Sequence, residues 1–112
     1  MQYTSDDYPK PGTLKWAMLV VLLVEDAPMF AHQIDRKVAK LLGISEKMYE
    51  ATLSNGKQYV PYRLGWERTK CKKNQYIEKV PGMPRYWRLT ERGRIIALRK
   101  EKVFTDKGLR HE

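Results

Sequence analysis

One cysteine, Cys71, and two histidines, His32 and His111, are the only thiol and imidazole metal ligands in the chain. A lone cysteine makes no internal disulfide, and no cysteine–histidine spacing of the structural-zinc kind is present. No metal and no cofactor are therefore expected. Long apolar runs are also missing. The longest, residues 16–24, has nine residues, about half of the ~20 that cross a bilayer, so no membrane partner is expected. The opening Met1-Gln2-Tyr3-Thr4-Ser5-Asp6-Asp7 is polar and acidic, unlike a signal peptide. A reducing cytoplasm is the expected compartment. Catalytic constellations are equally sparse. There is no Ser/His/Asp set and no glycine-rich phosphate loop. The pairs Asp6-Asp7 and Glu25-Asp26 lack the converging acids and lysine that a metal-dependent nuclease requires. The expectation is a protein that is not an enzyme, with no catalytic residue and no small-molecule substrate.

What the chain has is positive charge in one place. Its 112 residues carry 22 Lys and Arg against 13 Asp and Glu, a net charge of +9. Residues 1–56 hold six basic and seven acidic side chains, whereas residues 57–94 hold eleven basic and only three acidic ones, Glu67, Glu78 and Glu91. Solubility alone requires no such segregation, but binding a polyanion does.

The length fits one domain. Residues 1–12, with Pro9, Pro11 and Gly12, read as a flexible leader, and residues 105–112 as a flexible tail, around a domain at 13–104. Thr13 is the expected cap of a first helix, residues 14–24, apolar nearly all round and hence central. Residues 29–31 form a short extended link with room for one ladder pairing. A second helix follows at 32–42, with Ile34, Val38, Leu41 and Leu42 inward and Asp35, Arg36, Lys37 and Lys40 outward. Gly43 ends it, and Ser45 caps a short helix at 46–51. A longer helix is predicted over 58–74, with Pro61 confined to its first turn. At 100° per residue Val60, Leu64, Glu67, Arg68 and Cys71 share the inner side, and Tyr59, Tyr62, Trp66, Thr69 and Lys73 the outer, flanked by Arg63 and Lys70. Strands at 76–80 and 85–89 are joined through Pro81-Gly82-Met83-Pro84, and Thr90 caps a last helix with Ile95, Ile96, Leu98 and Val103 as its apolar positions. This is an α+β, mainly α plan: a winged helix-turn-helix with a three-helix core, a two-stranded β-hairpin wing and a C-terminal helix. The excess cations fall on the parts of that plan that face DNA.

Candidate DNA contacts follow from this placement. Arg63, Lys70 and Lys73 suit phosphates or base edges and stand together without acidic partners. Tyr59, Tyr62 and Trp66 suit sugars or the methyl group of a pyrimidine. Lys57, at the start of the long helix, suits a backbone phosphate, and Lys79, Arg85 and Arg88 are the cations of the wing. Cys71 reads as a small buried hydrophobe.

Over residues 14–97 the motifs Gly56-Lys57-Gln58, Arg63-Leu64-Gly65-Trp66, Lys72-Lys73, Trp87 and Thr90-Glu91-Arg92-Gly93 resemble the N-terminal winged-helix domain of Mrr-type restriction endonucleases. Departures from the family pattern are Glu67 in place of alanine, Cys71 in place of leucine, Asn74-Gln75 in place of Ala-Gly, and a wing with Pro81 and Pro84. The resemblance implies a double-stranded DNA-recognition module of a restriction system, sensitive in this family to base modification. It also implies a bacterial or archaeal, nucleoid-associated setting. The family's separate nuclease domain has no counterpart here, so a free-standing module or a fragment of a longer protein is expected, with a nuclease as a separate subunit. Two other readings stay open. One is a transcriptional regulator that homodimerises through its first or last helix. The other is a protein-interaction module for an acidic partner.

Overall fold

A computed structural model describes residues 2–106. In chain order it has a 3-10 turn (Ser5–Asp7), α1 (Pro11–Glu25), β1 (Met29–Phe30), α2 (Ala31–Leu41), α3 (Glu46–Glu50), α4 (Tyr59–Lys73), β2 (Ile77–Val80), β3 (Met83–Leu89) and α5 (Glu91–Asp106). The described chain is a mainly helical α+β arrangement around a three-stranded antiparallel sheet.

α1 is the hub. Leu14 and the unbroken run Ala17 to Leu23 are buried, and the helix packs against α2, α4 and α5. A helix enclosed on three sides has no polar face to keep, which is why this run is apolar throughout. It begins at Pro11, ahead of the expected Thr13 cap, because proline at the first helical position forfeits only an N–H that would be unpaired anyway.

The expected leader is not a free segment. Tyr8 is buried, its hydroxyl donates to the Met48 carbonyl at 2.7 Å, and its ring stacks on Tyr59 with centroids 4.9 Å apart. Tyr3 meets Tyr8 edge-on at 6.1 Å. The Tyr8 contacts with Met48 and Tyr59 reach 40 or more positions along the sequence, beyond any local pattern. At the other end α5 continues to Asp106, past the expected start of the tail at 105, and positions 107–112 lie outside the described residues.

α2 turns Ile34, Val38 and Ala39 inward. It closes at Gly43, with φ +73°, where the N–H of Gly43 bonds Lys40 O at 3.2 Å and that of Ile44 bonds Ala39 O at 2.9 Å, a left-handed cap that favours glycine. Asp35, expected to face out, is buried instead, because Arg68 of α4 meets it there. α3 carries the expected Ser45 cap, whose Oγ accepts from Met48 N at 3.1 Å, and ends one residue early at Glu50.

The extended link forms β1, which pairs Met29 with Trp87 and Phe30 with Tyr86, so β3 is the central strand. β2 pairs with β3 at Ile77–Leu89, Glu78–Arg88, Lys79–Trp87 and Val80–Met83. The turn is therefore only Pro81-Gly82, shorter than expected, with Gly82 at φ +77° as a proline-led tight turn demands. Between Lys79 and Val80 the register jumps, leaving Pro84, Arg85 and Tyr86 of β3 as a bulge on the β2 side. Arg85 sits there at φ +66°.

α5 is locked to the sheet by Thr90 and Gly93. Thr90 Oγ1 accepts from Gly93 N at 3.0 Å and donates to Gln75 O, while Thr90 N–H bonds Tyr76 O at 3.0 Å. α5 buries Ala97 and Phe104. Three of its apolar positions, Ile95, Leu98 and Val103, are exposed, on the side turned away from Ala97.

Candidate nucleic-acid interface

α4 has two unlike sides. Val60, Leu64, Glu67, Arg68 and Cys71 are buried, the inner set predicted from helical spacing. Tyr62, Trp66, Thr69, Lys70, Lys72 and Lys73 are exposed. Tyr62 is 42% and Trp66 51% accessible, and their rings meet edge-on at 6.4 Å. An exposed tryptophan and tyrosine in contact amid lysines form an apolar platform ringed by positive charge. Tyr59 departs from the outer set: it is half-buried under Tyr8.

Two charged groups enter the helix interior, each with a partner. Arg68 bonds both Asp35 oxygens, at 2.5 and 3.4 Å, which ties α4 to α2. Burial raises the Asp35 carboxyl above its ordinary value, and the Arg68 bonds and charge offset only part of that rise. Glu67 Oε2 lies 3.3 Å from Arg63 and 3.8 Å from Lys70. Arg63 and Lys70 are thus not the unpartnered cations expected. The pairing was available from sequence as an Arg–Glu spacing of four and a Glu–Lys spacing of three, both of which meet on a helix. Burial also pushes the Cys71 thiol up to about 11, so it stays neutral.

On the hairpin, Lys79 and Arg85 are exposed and form no ion pair among the described residues. Arg88, also exposed, has its Nε 2.8 Å from the Glu78 carboxylate on the opposing strand, a cross-strand ion pair.

At the amino end of α4 the Lys57 ammonium lies 5.3 Å from the Tyr62 ring centre. Beside it is an open cleft of about 320 Å³, lined by Lys57, Tyr59, Tyr62 and Arg63 together with Thr4, Ser5 and residues 53–55. The structure thus gathers Lys57, Tyr62, Arg63, Trp66, Lys70 and Lys73 on or beside one helix, and Lys79 and Arg85 on the hairpin. Thr4, Ser5, Ser54 and Asn55 were not anticipated, because no local signal joins the amino-terminal segment to α4.

Among the described residues no cluster of three or more His, Cys, Asp or Glu is placed to hold a metal, and no helix is long and apolar enough to cross a membrane. Residues 14–98 match the family model of the Mrr N-terminal domain. No curated protein and no solved structure matches the chain.

Proposed function

The chain belongs to the Mrr N-terminal domain family, and from that premise we propose that it is a winged-helix module that recognises double-stranded DNA for a restriction system. In this reading α2, α3 and α4 are the helix-turn-helix, and α4 enters the major groove. The β2–β3 hairpin is the wing, which follows the flanking backbone. The observation that carries it is the outer side of α4, where Tyr62 and Trp66 stand exposed beside Lys70 and Lys73.

Each part then has a task. Lys57, Lys70, Lys73, Lys79 and Arg85 neutralise phosphates and set the register. Arg63, steered by Glu67, reads a base edge. The apolar rings of Tyr62 and Trp66 lie against pyrimidine C5 positions, where a methyl group adds contact area. This gives the module its sensitivity to base modification. Cutting belongs to a separate nuclease partner.

The test is duplex binding as a function of salt. Six engaged cations give a slope of log K against log salt of about −5, and a loss of roughly 10³ in affinity between about 50 and 200 mM. Absence of duplex binding at about 50 mM salt ends the proposal. The exposed Ile95, Leu98 and Val103 of α5 favour an addition to it, in which two copies meet through α5 and read two half-sites. Sedimentation at high concentration reads this directly: a monomer removes it.

A further inference from the structure

The cleft at the amino end of α4 holds the features of a nucleotide site, and we propose that it takes a single unpaired nucleotide, with the phosphate on Lys57 and Arg63 and the base against Tyr62. The inference rests on the duplex reading only for the source of the ligand, which is either a free nucleoside monophosphate or an unstacked nucleotide of a DNA strand.

Size comes first. At about 320 Å³ the cleft is at the small end of the ~300–1,000 Å³ typical of small-molecule sites. It is far larger than one water and too small for duplex. Its walls are also fixed. On one side the turn at 53–57 is tied by Leu53 N–H to Lys57 O at 2.9 Å, Gly56 N–H to Leu53 O at 2.8 Å and Lys57 N–H to Asn55 Oδ1 at 2.9 Å. On another, Thr4 and Ser5 are held by the Tyr3–Tyr8–Tyr59 ring series. The first turns of α4 make the third.

The chemistry of the lining points to a nucleotide. Two cations and no carboxylate line it. Asp6 and Asp7 follow Ser5 in sequence but do not line the cleft, and the Asp7 carboxylate is engaged by the Thr4 N–H at 2.8 Å. Lys57 forms no ion pair among the described residues and leans on the Tyr62 ring. Arg63 lines the cleft while its outer nitrogen pairs with Glu67 at 3.3 Å. A bare anion would need nothing more. This cleft also has an accessible aromatic ring in Tyr62, on which a base can stack. Ser54, Asn55, Thr4 and Ser5 add neutral donors and acceptors suited to the polar edge of a base.

The experiment uses the whole chain and four probes: inorganic phosphate, thymidine 5′-monophosphate, a blunt duplex, and the same duplex with a one-nucleotide 5′ overhang. Amide shifts at Lys57, Tyr62 and Arg63 on adding the monophosphate, with Lys57→Ala weakening it about tenfold, support the proposal with a free ligand. A preference of about tenfold or more for the overhang over the blunt duplex, erased by the cleft-filling Ser5→Trp and Ser54→Trp, supports it with a strand-borne ligand. Two fillers on opposite walls, each checked by thermal melting, guard against a variant that misfolds. Inorganic phosphate giving the same shifts at the same affinity as the nucleotide overturns the proposal, as do no shifts together with no overhang preference. If the blunt duplex still binds in that last case, duplex recognition stands without the cleft.

Discussion

Glu67 and Arg63, one turn apart on α4, hold each other at 3.3 Å with the carboxylate buried and the guanidinium at the margin of solvent. Glu67 cancels one positive charge on the proposed DNA face but fixes where its arginine points. Glu67→Gln keeps the shape and removes the charge. Expected are duplex binding about fivefold tighter at low salt, a gain that fades as salt screens it, and weaker discrimination between sequences. Titrations on a matched and a mismatched duplex at two salt concentrations check both.

Arg63 and Lys79 are expected to differ in kind. Arg63→Ala changes which duplex is preferred, by about 1–3 kcal/mol at one base position. Lys79→Ala weakens all duplexes alike and lowers the salt slope by about one. Equal losses on every duplex from both variants would contradict this division.

Asp35 and Arg68 are both buried and join α2 to α4. Asp35→Ala strands the guanidinium and is expected to cost about 3–5 kcal/mol. The double variant Asp35→Leu with Arg68→Met is expected to recover most of that, since an apolar pair of similar volume carries no desolvation cost. Urea unfolding of the four proteins closes the cycle.

Two glycines separate close approach from simple tolerance. A Cβ at Gly93 would lie 1.8 Å from Tyr76 O, whereas one at Gly65 meets nothing within 4 Å. Gly93→Ala forces the start of α5 off the sheet and is expected to cost about 3 kcal/mol. Gly65→Ala, inside α4, is expected to add up to about 1 kcal/mol. Thermal melts of opposite sign are the check.

Cys71 gives a pH signature. Its thiol rises from 9.0 to about 11 on folding, so the folded state favours the protonated form. That contribution is complete below pH 9 and is lost as pH climbs through about 11, by up to about 2–3 kcal/mol. The tyrosines Tyr8 and Tyr49 shift the same way through burial. The reading is therefore the difference in slope between the wild type and Cys71→Ala over that window, with the variant losing less.

Local rules reached as far as local causes extend. The inner side of α4 was legible because residues three and four apart must share a face, and Gly43, Ser45 and Thr90 marked helix ends because few residues do those jobs. The same rule places Glu67 inside, but its pairing with Arg63 shows only between neighbours on the helix and not in the charge balance of a segment. Asp35 looked like one more outward charge, since its partner comes 33 positions later. Tyr59 was assigned outward because helical phase says which side a residue is on but not what covers that side. The cleft is invisible for the same reason: one of its walls comes from residues 4 and 5. The resemblance to the Mrr family carried what spacing did not, a task for the basic half of the chain.

The ring series Tyr3–Tyr8–Tyr59 has a practical corollary for handling the molecule. An affinity tag or fluorescent fusion placed directly ahead of Tyr3 pulls on Tyr59, the first residue of the helix proposed to meet DNA. Binding assays with such fusions should therefore use a long spacer, or cleave the handle before affinity is recorded.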